Sequence, residues 1–91
     1  MAVTIHIPEV LRQFTEGKGR MRFDVSSATV ADALSLLWAQ YPSARDRVLT
    51  ETGEVRPQFT IFVWNESIRY SGGLATPLPE ESDVFISPTG N

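Results

Sequence analysis

From Thr29 to Tyr41 the apolar residues of this chain fall three and four positions apart. Val30, Ala33, Leu34, Leu37, Trp38 and Tyr41 lie on one side of a 3.6-residue helix. Thr29 offers an N-cap hydroxyl, and Asp32, three residues on, can reach back to the free N–H groups of the first turn. Pro42 lacks an amide hydrogen and biases the residue before it away from the helix, so it closes the segment. The spacing predicts one amphipathic helix over about 30–41. A helix with one apolar side must bury that side, and in a chain of 91 residues the remaining segments have to supply the surface.

Those segments alternate at a period of two. Val3, Ile5 and Ile7 alternate with Thr4 and His6 up to Pro8. Glu9 to Gln13 reads as an ordered connection, and Glu16-Gly17-Lys18-Gly19 as a turn. Met21, Phe23 and Val25 alternate with Arg22 and Asp24, which makes the first two strands a hairpin. The break at Ser26-Ser27-Ala28 leads into the helix. After the helix, Ser43 is placed to cap a short turn over Ala44–Leu49, and 50–57 reads as loop. Phe59 to Trp64 is rich in aromatic and β-branched residues and predicts the strongest strand. Asn65-Glu66 reads as a tight turn, Ser67 to Tyr70 as a short strand, and Ser71-Gly72-Gly73 as a break. Leu74 to Glu81 holds Pro77 and Pro79 and reads as extended loop anchored by Leu74 and Leu78. Val84 and Ile86 form a last strand stopped by Pro88.

Two strand pairs flanking one main helix specify an α+β fold: a mixed sheet of about five strands with the helix packed on one face. The β-grasp, or ubiquitin-like, architecture has this order. A ferredoxin-like fold needs a second full helix before the last strand, which the proline-bearing 74–81 stretch cannot form. The expectation is a single domain over 1–91 with a short tail at 88–91.

Composition narrows the function classes. There is no cysteine, so disulfides, thiolate metal sites and a thiol nucleophile are excluded. A net charge of −3, from 8 basic and 11 acidic residues, gives no attraction to phosphate backbones, and nucleic acid is not an expected partner. No apolar run approaches the roughly 20 residues that cross a bilayer, and no signal peptide is visible at the N-terminus. The expected location is cytoplasmic, with no membrane partner. Oligomeric state is not legible.

The run from Phe59 to Pro88, above all Arg69-Tyr-Ser-Gly-Gly-Leu-Ala-Thr-Pro-Leu78, resembles the C-terminal half of the MoaD/ThiS sulfur carriers. The helix segment from Thr29-Val-Ala-Asp-Ala-Leu to Tyr41-Pro42 resembles theirs as well. The likeness spans Val3 to Pro88 and is nearest the branch that contains the cysteine-synthesis sulfur carrier. It implies a protein that is a substrate rather than a catalyst. An E1-like enzyme adenylates the C-terminal carboxylate with ATP, sulfur transfer yields a thiocarboxylate, and a sulfur-accepting synthase takes the sulfur for molybdopterin, thiamine or cysteine biosynthesis. The carrier itself binds no cofactor; the ATP is used by the activating partner. The implied site is the tail, Thr89, Gly90 and Asn91.

Family tails end in Gly-Gly, because a backbone without Cβ atoms enters a narrow tunnel and approaches phosphate closely. This sequence ends Pro88-Thr89-Gly90-Asn91. Three residues past Pro88 reach at most about 10 Å, against about 20 Å for a six-residue tail. Three readings stay open: a relative that has lost the activating tail and is a non-conjugating β-grasp interaction module, a variant tail that a partner accepts or processes, and a chain shortened or altered at its end.

Single residues weigh mostly toward structure. Gly72-Gly73 is internal and reads as a turn needing positive φ, not a conjugation motif. His6, the one histidine, reads as a solvent-facing strand position, since a zinc site without cysteine needs several carboxylates. Glu80, Glu81 and Asp83 read as a solvated turn. No serine has a nucleophile-elbow context, and Glu16 to Gly19 lacks the phosphate-loop spacing. If Ile61, Val63, Val84 and Ile86 face the helix, alternation sends Phe62, Trp64 and Phe85 to the opposite face, where an aromatic patch makes a partner-binding surface.

Overall fold

The capping residues meet as their spacing requires. The computed structural model describes residues 2–24 and 29–89. In it the Asp32 amide donates to Thr29 Oγ1 at 3.3 Å, and the Thr29 amide donates to Asp32 Oδ2 at 3.0 Å. Helix α1 (Val30–Gln40) follows. Its first turn is anchored again where the Val30 amide donates to the Thr76 carbonyl at 3.0 Å. Pro42 does end α1, but it also begins α2 (Pro42–Val48), in place of the expected turn that started at Ala44. Proline suits the first helical position, where its missing N–H has no partner to lose.

Five strands form one sheet: β1 (Ala2–His6), β2 (Arg20–Asp24), β3 (Phe59–Val63), β4 (Glu66–Ser67) and β5 (Ser82–Pro88), in the order β2-β1-β5-β3-β4. β1 and β5 pair in parallel at the centre, and every other pairing is antiparallel. This is the mixed sheet of the β-grasp fold. Val25, Ser26, Ser27 and Ala28, expected to end the second strand and break the pattern, lie outside the described residues.

Alternation decides which side chains meet α1. Val3 and Ile5 of β1, Ile61 and Val63 of β3, and Val84 and Ile86 of β5 are buried against Val30, Ala33, Leu34 and Leu37 of the helix. Each Val, Leu or Ile side chain among them contributes on the order of 1.5–3 kcal/mol by leaving water. Leu11, Val48, Leu49, Ile68 and Leu78 close the cluster from the connecting segments, and Met21 and Phe23 of β2 pack against its margin.

The ordered connection expected over Glu9 to Gln13 is present, as a 3-10 helix over Glu9–Phe14 that buries Leu11, whereas two later segments depart from expectation. The expected strand over Ser67–Tyr70 is only Glu66–Ser67, after which Ile68–Tyr70 turns as a 3-10 helix and buries Ile68. Gly73–Ala75 forms another such turn within the stretch read as extended. Gly72 and Gly73 hold φ of 116° and 63°, the left-handed conformation that the pair was expected to supply.

β5 runs two residues further at each end than Val84–Ile86 and includes Pro88. The reason is in the rungs. The Trp64 amide donates to the Asp83 carbonyl and the Thr89 amide to the Gln58 carbonyl. Those bonds place the opposed pair Phe59 and Pro88 at a position where neither bonds across the ladder. The proline nitrogen faces the side where β1 has already ended at His6, so its missing proton leaves no gap.

The β3–β4 turn is Trp64-Asn65, one residue earlier than expected, and the left-handed residue is Trp64 at φ 58°, not Asn65. A bulky residue there is strained by roughly 1–2 kcal/mol. We therefore expect Trp64→Gly to unfold in urea at a midpoint equal to or above that of the parent, although it deletes a large side chain. A loss above about 1 kcal/mol would mean that indole packing outweighs the turn strain. Thr29→Ala, which removes the cap, is expected to cost about 1 kcal/mol in the same assay.

Candidate functional site

The tail root continues the sheet. Beyond Pro88, the Thr89 amide donates to the Gln58 carbonyl at 2.8 Å and its hydroxyl donates to the Pro57 carbonyl. The tail was expected to begin at Pro88; Pro88 belongs to β5 and Thr89 adds one more rung. Gly90 and Asn91 lie outside the described residues. Thr89 is exposed, so its two bonds compete with water and each contributes on the order of 1 kcal/mol or less.

The face turned away from α1 carries the aromatic residues. Phe62 of β3 lies opposite Phe85 of β5, and Phe85 lies opposite His6 of β1, which lies opposite Arg20 of β2. These four side chains make one row across the sheet. Phe62 and Phe85 are half-buried, and Trp64 is 51% exposed at the turn that follows β3. The three expected patch residues come together around a shallow hollow of about 270 Å³ that Asn65 and Ser87 complete. A flat aromatic surface with a polar rim suits protein docking: aromatic side chains bury large areas at low entropic cost, and the rim excludes water.

His6 is more constrained than a solvent-facing strand residue. Its ring stacks on Phe85 with centroids 4.2 Å apart and planes 9° from parallel. Its Nε2 lies 2.9 Å from Asp83 Oδ1. Asp83 thereby leaves the acidic turn to which the sequence assigned it, because parallel pairing sets Phe85 beside His6 and Asp83 two residues back on the same face. The effect is to fix the orientation of Phe85 from one side while Phe62 borders it on the other. Alternation in the sequence puts His6 on the open face; only the partnership of the first strand with the last reveals what it touches there.

The remaining acidic residues stay at the surface. Glu80 and Glu81 are exposed, and Glu81 lies 3.5 Å from Arg22 in an exposed pair worth less than about 1 kcal/mol. Among the described residues no cluster of three or more His, Asp or Glu side chains could hold a metal ion. No helix among them is long and apolar enough to cross a membrane.

No family model matches the chain. It is 33% identical over 90 residues to the sulfur carrier protein CysO of Mycobacterium tuberculosis, a match that covers 97% of this chain and 95% of that protein. The crystal structure of Mycobacterium tuberculosis CysO superposes with a TM-score of 0.83 at 32% identity, covering 97% of this chain and 99% of that one. CysO in the BexX/CysO complex of Amycolatopsis orientalis superposes with a TM-score of 0.85 at 25% identity, covering 98% and 97%. Strand order, the helix on one face and this full-length similarity agree, and the chain belongs to the ubiquitin-like sulfur carrier protein family.

Proposed function

We propose that this protein carries sulfur on its C-terminal carboxylate as a substrate of partner enzymes. An E1-like enzyme transfers AMP from ATP to the carboxylate and releases pyrophosphate. A sulfur donor then displaces AMP, which leaves a terminal thiocarboxylate that a sulfur-accepting synthase consumes. The observation that carries the reading is the full-length similarity to a sulfur carrier, which includes the strand leading into the tail. The chain supplies no side chain to the chemistry in this reading. Its parts are the tail of Thr89, Gly90 and Asn91 as reacting end, and the face of Phe62, Trp64 and Phe85 as docking surface, with His6 and Asp83 positioning Phe85. Cysteine biosynthesis is the pathway that the CysO relatives favour, and a cytoplasmic location accords with the ATP-dependent step.

A second reading, a non-conjugating interaction module, draws on one observation: Thr89 is bonded to the body of the domain through its amide and its hydroxyl. The two readings part in one measurement. Intact-mass spectrometry after incubation with a cognate E1-like enzyme, ATP and a sulfur source is expected to show one carboxylate oxygen replaced by sulfur. An unchanged mass across several such enzymes would favour the module.

Two variants refine the carrier reading. Phe62→Ser is expected to weaken capture by the activating enzyme at least about tenfold, as central aromatic anchors do, with little change in thermal unfolding because the residue faces away from the core. Thr89→Val keeps the amide rung and deletes the hydroxyl bond to Pro57. Thiocarboxylate formation is expected to speed up by up to about fivefold, the equivalent of one exposed hydrogen bond, and single-turnover kinetics would measure it.

A further inference from the structure

β2 ends the sheet, with β1 on one side and no strand among the described residues on the other. The Ile7 amide donates to the Gly19 carbonyl at 2.8 Å, which makes Ile7 and Gly19 a hydrogen-bonded pair just beyond the ladder. Alternation in an antiparallel ladder then bonds Met21 to Ile5 and Phe23 to Val3. It turns the N–H and C=O groups of Arg20, Arg22 and Asp24 away from β1, toward the outer edge. All three residues are exposed, and among the described residues their backbones make no hydrogen bond outside the ladder. The edge therefore presents a row of donors and acceptors along its whole length.

Charges on an edge strand ordinarily blunt it against pairing. Here they have both signs, in an order that suits a second copy. Set against itself in the antiparallel direction about Arg22, the run Arg-Met-Arg-Phe-Asp places Arg20 opposite Asp24 at both ends and Met21 opposite Phe23 twice. Met21 and Phe23 are half-buried at the margin of the core and have apolar surface left to cover. Only the central pair opposes like charges, and each Arg22 already lies 3.5 Å from Glu81 of its own chain, which offsets part of that repulsion. This register also brings together the residues whose backbone groups point outward. Centring on Met21 would set Arg20 opposite Arg22 twice, and centring on Phe23 would leave Arg20 and Met21 beyond the end of the other strand.

We propose that two copies of this chain associate through β2, edge to edge, about a two-fold axis at Arg22. The interface is isologous and closes at two copies. The two sheets join into one, with both α1 helices on one side and both aromatic rows on the other. Met21 and Phe23 of each copy cover Phe23 and Met21 of the other, and the Arg20–Asp24 pairs fix the register. The pairing strand is five residues long, so the contact is small and the association weak and concentration-dependent. Phe62 and Trp64 lie across β1 and β5 from this edge and stay uncovered, so the association stands or falls independently of sulfur carriage.

Sedimentation equilibrium of the full chain from micromolar to millimolar concentration is the test. We expect a reversible monomer–dimer equilibrium, half-associated below about 1 mM, with amide NMR shifts on dilution centred on Arg20 to Asp24. Arg20→Asp and Asp24→Arg each convert both end pairs to like charges. Each variant alone, with unchanged thermal unfolding at low concentration, is expected to dimerise about tenfold more weakly. An equimolar mixture of the two restores opposite charges at both ends and is expected to recover the association, although both variants remain net negative. A chain that stays monomeric at every concentration would overturn the proposal. So would a dimer that Arg20→Asp leaves unchanged, a mixture that associates no better than either variant alone, or dilution shifts centred on Phe62 and Phe85.

Discussion

The parallel ladder between β1 and β5 governs the architecture. It joins Val3–His6 to Ser82–Phe85, near the two ends of the chain, and puts both strands in the middle of the sheet. Parallel neighbours cannot be linked by a tight turn, so everything between them has to cross over and return. α1 lies in that crossover, and its apolar stripe covers the six buried side chains that β1, β3 and β5 present. The same ladder brings His6 against Phe85 and within reach of Asp83 on the other side of the sheet. Core and candidate docking face are thus two sides of one pairing.

The helix and the strands were legible because their signals are local. The 3.6-residue spacing from Val30, the Thr29–Asp32 cap and the alternation in Phe59–Val63 each depend on residues close in sequence. The aromatic patch was legible by the same alternation, once the core side of each strand was known. What was not legible depends on pairings far apart in sequence. The role of His6 requires a residue 77 positions away. The length of β5 and the tolerance of Pro88 require knowing which pairs bond across the ladder and where β1 stops. The 3-10 turns at Glu9–Phe14 and Ile68–Tyr70 form to bury Leu11 and Ile68, a tertiary gain with no strong local propensity behind it.

Trp64 shows the local signal being overridden. Sequence chemistry assigns the left-handed position to Asn65, which reaches that conformation with less strain, yet Trp64 occupies it. The shift of one residue starts β4 at Glu66 and keeps Val63 buried opposite it. It also stands the indole at the end of the aromatic row rather than turning it into the core. Strain of this kind persists where surroundings impose it, and it often accompanies function.

The root of the tail has a mechanical consequence. β5 is gripped by β1 on one side and β3 on the other, and it runs toward the C-terminus along its own axis. Tension applied to the chain end in line with that axis loads both flanking ladders in shear, with many bonds resisting at once. Thr89 is the last rung and, like Ser87 and Pro88, is held only from the β3 side, so it yields first. A pull in line with β5 can therefore free Thr89 without disturbing the strand behind it, and the domain acts as a rigid handle.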